Sequence, residues 1–163
     1  AYSIGINGLY LNLRGREKYG SVNPGRERED LLQELVRELE AVVDPEVGRR
    51  AIKYAYRNDI VYSGDWRGRG PDIILGYDAG WRGSNESALG EVPAEVFVDN
   101  LMKWSGDHCM AADVVPGVVI ASRPFALPDP TLADLAPTIL GLFGVEPLPA
   151  MTGRNLYSTE GER

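Results

Sequence analysis

Glu27-Arg28-Glu29-Asp30-Leu31-Leu32-Gln33-Glu34-Leu35-Val36-Arg37-Glu38-Leu39-Glu40-Ala41-Val42-Val43 is the stretch that decides the fold class. Its apolar members Leu31, Leu32, Leu35, Val36, Leu39, Val42 and Val43 recur at three- and four-residue steps. That spacing gathers them on one face of a helix and leaves the charges on the other. A helix with one apolar face needs another layer to cover it, so strands are sought on either side. Asn23-Pro24-Gly25 is a turn signal before the helix. Asp44-Pro45 ends it, because proline disfavours helical geometry in the residue before it.

Working outward, Leu9-Tyr10-Leu11-Asn12-Leu13 alternates like a strand with one buried face. Ala51-Ile52-Lys53-Tyr54-Ala55-Tyr56 reads as a second strand near a sheet edge, and Asn58–Tyr62 as a helical turn or a short strand. Asp65–Gly70 is a Gly/Arg-rich loop, after which Pro71-Asp72 launches Ile73-Ile74-Leu75-Gly76-Tyr77, an apolar run suited to a strand covered on both faces. Asp78–Met110 has little periodicity, and its Trp81, Phe97 and Trp104 point to an ordered, functional loop. Val118-Val119-Ile120-Ala121 reads as a further strand. Thr131–Phe143 is helical, with a turn up to Ala136, the main helix starting at Pro137, and Gly144 as the stop. Residues 1–157 are expected to form one α/β unit with a mixed sheet and a long ordered loop, and residues 158–163 a frayed tail.

Composition excludes some functions. The 163 residues carry 17 basic and 24 acidic side chains, a formal charge of −7. Binding a nucleic-acid polymer needs concentrated positive charge, and here the arginines are scattered among acids. No run reaches the ~20 apolar residues of a membrane-spanning helix. A single cysteine, Cys109, rules out an internal disulfide. No glycine-rich nucleotide loop and no Cys/His zinc-finger spacing occurs.

The chemistry-bearing stretch is Trp104-Ser105-Gly106-Asp107-His108-Cys109-Met110, which holds the one histidine and the one cysteine. Asp, His and Cys are all competent metal ligands. A loop histidine bonded to backbone and a Cys/His nucleophile pair are the competing readings of the same residues.

Four segments carry a resemblance. Asn7-Gly8-Leu9-Tyr10-Leu11-Asn12-Leu13-Arg14-Gly15-Arg16-Glu17 resembles the strand and turn that follow the central metal-binding motif of bacterial type I phosphodiesterase/nucleotide pyrophosphatase proteins, members of the alkaline phosphatase superfamily. Pro71–Tyr77 with Gly80-Trp81-Arg82 resembles the family's next core strand and loop. Trp104–His108 is similar to the Gly-x-His setting of its last metal-ligand histidine. Asp134-Leu135-Ala136-Pro137-Thr138-Ile139-Leu140, Phe143-Gly144-Val145 and Met151-Thr152-Gly153-Arg154 are similar to the closing helix and tail.

The resemblance implies part of a three-layer αβα sandwich and a hydrolase with a Ser or Thr nucleophile and two divalent metals, zinc being the expected pair. By position, His108 would be a metal ligand, Asp107 an acid that fixes the loop or supports the ligand without being one, and Cys109 a small packed side chain. Arg14 and Arg16 would approach a substrate phosphate or pair with Glu17. Trp66, Trp81 and Trp104 would anchor loops. The family's nucleophile, Asp-x-x-x-His pair and Asp-His-Gly pair have no counterparts here. The chain, which opens at Ala1 without Met, therefore reads as a C-terminal portion that is inactive alone. Its substrate in the parent enzyme would be a small phosphate ester or nucleotide, and an exposed sheet edge would favour self-association. The alternatives are a stand-alone binding or structural domain with no chemistry, and a phosphoglycerate mutase-like enzyme of the same superfamily.

Overall fold

The computed structural model describes residues 1–5 and 7–158, so the expected tail beyond Ser158 lies outside the described residues. The chain divides into two compact units, Ala1–Pro116 and one that begins at Gly117.

The first unit is built on the amphipathic helix. Strands β1 (Tyr2–Ile4), β2 (Gly8–Tyr10), β3 (Ile52–Arg57) and β4 (Ile73–Tyr77) form one sheet in the order β1-β2-β4-β3. Helix α1 (Arg26–Glu40) connects β2 to β3, and β4 returns to fill the space between them. The arrangement is a split β-α-β unit. Helix α1 buries Leu32 completely, in a core with Leu11, Leu13, Val22, Ala55 and Ile73, and sets Leu31, Leu35, Val36 and Leu39 around it.

Because side chains alternate across a strand, Leu9, Ala55, Ile73 and Leu75 face α1, and Tyr10, Tyr54, Tyr56, Ile74 and Gly76 face away. On that second face Tyr2 stacks on Tyr10 with ring centres 5.4 Å apart. A Cβ on Gly76 would lie 2.8 Å from the Tyr56 ring and 3.0 Å from the Ala111 backbone, so only glycine fits there.

An α/β class is observed, but the expected mixed sheet is not. Every strand pair is antiparallel, and the parallel pairings among the described residues are isolated bridges such as Leu13 with Val22 and Tyr77 with Met110. The insertion of β4 between β2 and β3 is the reason, since it runs opposite to both. The edge position expected for β3 and the interior position of β4 are both found. Helix α1 ends at Glu40 rather than Val43 because the β-branched pair Val42-Val43 leaves it for a bridge with the chain entering β3. Ala51 N–H donates to Val42 O at 3.3 Å and Asp44 N–H to Arg49 O at 2.9 Å. Asn58–Val61 takes the helical alternative, as the short helix α2. A 3-10 turn over Arg67–Arg69 interrupts the Gly/Arg-rich loop.

Asp72 ties the unit together. Its side chain is 3% exposed, and its carboxylate accepts Leu11 N–H at 2.8 Å, Arg16 Nη2 at 2.7 Å and Arg28 Nη2 at 3.2 Å. Its own N–H donates to Leu9 O at 2.9 Å, and its carbonyl accepts Asn58 N–H at 3.0 Å. One residue thereby fastens β2, α1, α2 and the start of β4. Arg57 adds a second tie, with its guanidinium on Glu29 at 2.6 and 2.8 Å and on Asp59 at 2.6 Å. Arg57 holds the Glu29 carboxyl down at about 2, below the usual carboxylate range.

The second unit rests on α4 (Leu132–Leu142). The helix runs through Pro137, against the expected start at that residue. Its N-terminus is fixed earlier, where Thr131 N–H and hydroxyl donate to Asp134 Oδ2 at 2.8 and 3.0 Å. Proline removes the N–H that would bond the Ala133 carbonyl, and the closing segment packs against that carbonyl instead. A Cβ on Gly153 would lie 2.0 Å from Ala133 O. Asp134, 2% exposed, also accepts Arg154 N–H at 2.7 Å and Arg154 Nη2 at 3.1 Å. That arginine holds its carboxyl well below the usual range. Leu156, fully buried, donates its N–H to Thr138 Oγ1 at 2.9 Å.

The expected strand over Val118–Ala121 does not form. A wholly apolar strand needs cover on both faces, and Val118 and Ile120 are exposed.

Replacing Asp72 by Ala strips the buried Leu11 amide of its acceptor and takes one carboxylate from each of Arg16 and Arg28. Urea unfolding should show a loss of about 3 kcal/mol, against under about 0.5 kcal/mol for Glu38→Ala on the exposed face of α1. Gly153→Ala should selectively loosen the second unit. Hydrogen exchange at the Leu156 and Thr138 amides should then accelerate, with exchange of β4 unchanged.

Candidate metal centre

The long segment after β4 leaves the sheet at Asp78 and comes back to the same strand end. Tyr77 N–H donates to Cys109 O at 3.2 Å, and Ala111 N–H donates to Tyr77 O at 2.9 Å. Gly76, by lacking a Cβ, lets Ala111 lie directly on β4. The Asp107-His108-Cys109 turn is thus held at the C-terminal end of an interior strand. The segment contains one short helix, α3 (Asn85–Ala88), among the described residues.

The aromatic anchors are fewer than expected. Trp81 is one: its indole N–H donates to Asp44 Oδ2 at 3.4 Å, and the Arg49 guanidinium stacks 4.7 Å from its ring centre while bonding Asp78 at 3.2 Å. Trp66 and Trp104 are instead exposed. Trp66 carries the Arg69 guanidinium over its ring, and Trp104 contributes its backbone carbonyl, which accepts Arg82 Nη1 at 3.3 Å. Arg82 also bonds Asn85 Oδ1 at 3.1 Å, so it bridges the two arms of the loop.

Within the turn, Asp107 Oδ1 accepts the N–H groups of His108 at 2.6 Å and Cys109 at 3.2 Å. Asp107 therefore shapes the loop. Its side chain is 6% exposed while that of His108 is 84% exposed. Asp107 Oδ2 is buried and has no hydrogen-bond partner. The imidazole makes no hydrogen bond among the described residues. Its Nδ1 stands 3.8 Å from Asp107 Oδ1, too far for the acid to fix its tautomer by a hydrogen bond. Cys109 is 9% exposed, as a packed side chain would be.

Burial, then the neighbouring Asp107 carboxylate, pushes the Cys109 thiol up. Burial, then the charges of Cys109 and Asp107, pushes the Tyr77 hydroxyl up as well. One ligand atom from each of Asp107, His108 and Cys109 lies within 4.8 Å of the others. The sequence singles out His108 as a ligand candidate and reads Cys109 as a packed side chain. Adjacency was the available signal, and it does not say which way neighbouring side chains point.

Arg16 sits away from this turn, held by Asp72 at 2.7 Å and by Glu17 at 2.7 Å, so it takes the pairing alternative. Arg14 joins Glu17 only through a backbone bridge.

Comparison with protein-family models, with curated proteins and with solved structures finds no match. No helix among the described residues is long and apolar enough to cross a membrane.

Asp107→Ala removes the acceptor of two amides, whereas Asp107→Asn keeps an oxygen in the same place. Amide exchange at His108 and Cys109 should accelerate in the first variant and stay near wild type in the second. Equal exchange in both variants would show that the carboxylate does not shape the turn.

Proposed function

We propose that this chain is part of a metal-dependent phosphodiesterase or nucleotide pyrophosphatase, to which it supplies the metal-ligating histidine His108. The observation that carries the reading is the turn itself. An open imidazole stands on a loop pinned to the end of an interior strand, beside a buried carboxylate oxygen that has no partner.

The donors suit a divalent ion. A bound ion of this kind polarises a phosphoryl oxygen and lowers the barrier to attack by a nearby oxygen nucleophile. The chain's own residues hold and orient: Asp107 Oδ1 sets the turn through the His108 and Cys109 amides, and β4 fixes its position. Asp107, His108 and Cys109 form the one such cluster among the described residues, which is room for one ion. A two-metal hydrolase therefore needs ligands and a nucleophile from elsewhere, and the chain by itself is inactive.

The antiparallel sheet, with α1 on one face and the tyrosine-rich face opposite, is on this reading a part of the superfamily's three-layer sandwich. The net charge of −7 favours a small phosphate ester or nucleotide over a nucleic-acid polymer. The edges presented by β1 and β3 favour self-association.

The test is hydrolysis of bis(p-nitrophenyl) phosphate with zinc or manganese. The 163-residue chain should not exceed the rate with metal alone. The polypeptide of the whole reading frame should turn the ester over and lose about 100-fold or more on His108→Ala. Turnover by the 163-residue chain would overturn the claim that it is inactive alone. A reading frame that adds no Ser or Thr nucleophile and no Asp or His ligands would favour the non-catalytic binding domain instead.

A further inference from the structure

His108 is not alone at the end of β4, and its two sequence neighbours differ from ordinary loop residues. Asp107 divides its carboxylate between two tasks. Oδ1 is consumed by the amides of His108 and Cys109, and Oδ2 is buried with no partner. A buried carboxylate oxygen left without a hydrogen bond is costly, and this side chain is only 6% exposed. A bound cation removes that cost. One carboxylate oxygen of Asp107, Cys109 Sγ and a His108 ring nitrogen lie within 4.8 Å of one another, so the three side chains are placed to share that cation.

We propose that Asp107, His108 and Cys109 together form a one-ion site of mixed O, N and S donors for a thiophilic divalent cation such as Zn(II). The proposal takes from the functional reading only that His108 is a ligand, and it changes the roles of the other two. Asp107 becomes a direct ligand through Oδ2 while still shaping the turn through Oδ1, and Cys109 becomes a thiolate ligand.

Zinc takes sulfur at ~2.3 Å and nitrogen or oxygen at ~2.0–2.2 Å, which puts ligand atoms about 3–4 Å apart in a tetrahedral site. The exposed His108 ring can turn to close the remaining gap, whereas Asp107 is held by the two amides on its Oδ1 and Cys109 by its carbonyl on Tyr77. A mixed set with a thiolate selects Zn(II) or Co(II) over Mg(II) or Ca(II), which prefer oxygen alone. The thiol proton leaves to bulk solvent as the ion binds. Three protein donors leave a four-coordinate ion one position for water or an ester oxygen.

Cobalt(II) is the probe, because a thiolate ligand adds a near-ultraviolet charge-transfer band that nitrogen and oxygen ligands do not. Titration of the 163-residue chain should reach that band's plateau at one equivalent, and Zn(II) should displace it. Cys109→Ser should abolish the band. Asp107→Asn, which keeps the Oδ1 acceptor, should weaken binding by about 10-fold or more, with circular dichroism unchanged in both variants. Cobalt bound without the band, yet lost on His108→Ala, would sink the three-donor site and leave His108 standing as a ligand. Unaltered affinity in Asp107→Asn, or no binding at micromolar metal, would also overturn it.

Discussion

The buried carboxylate of Asp72 is the constraint on which the first unit depends. A charged group at 3% exposure survives only if it is fully hydrogen-bonded, and here it takes one backbone amide and two guanidinium groups. Those donors are Leu11 and Arg16, in the stretch after β2, and Arg28 in α1, so satisfying one carboxylate fixes that stretch and the helix against the start of β4. The apolar contacts of Leu11, Leu32 and Ile73 supply the bulk of the burial, but apolar contact is non-directional. Asp72 supplies direction: it sets where β4 begins and therefore where its C-terminal end, which carries the Asp107–Cys109 turn, comes out.

The second unit uses the same device. Asp134 gathers the start of α4 and the closing segment through Thr131 and Arg154, while Thr138 and Gly153 bring the last described residues onto the helix. In both units an aspartate near the start of an element does the fastening. A carboxylate has about four acceptor sites, enough to hold several strands of backbone at once. Asp107 differs in one respect that matters. One of its oxygens is used and the other is left over, and a leftover acceptor in a buried position is what a ligand requires.

The sheet shows how connection and pairing are separate decisions. From β2 through α1 to β3 the chain follows a crossover pattern that invites a parallel neighbour, yet β4 takes the middle position and turns every pairing antiparallel. Gly76 then determines what can lie over β4, since a side chain there would meet Tyr56 and Ala111. The close approach of Ala111 brings the metal-ligand candidates to the strand end.

Much of this fold was legible in local sequence. The three- and four-residue spacing from Leu31 to Leu39 determines α1, because a single helix face must collect those side chains wherever they are buried. The unbroken apolar run Ile73–Leu75 marks an interior strand, and Asp-His-Cys marks a candidate donor cluster by residue type alone. Other features depended on tertiary structure, because they arise between segments far apart in the chain. The exit of Val42-Val43 from α1 depends on the strand-like pairing with Arg50-Ala51, and the close approach of the closing segment to α4 at Ala133 depends on Gly153. The run Val118–Ala121 has a strand's composition but finds no layers to cover it. For the candidate site, the sequence determined which atoms are present. Only the folded turn decided that one oxygen of Asp107 is occupied by backbone and the other is free, because that division depends on where two amide hydrogens point.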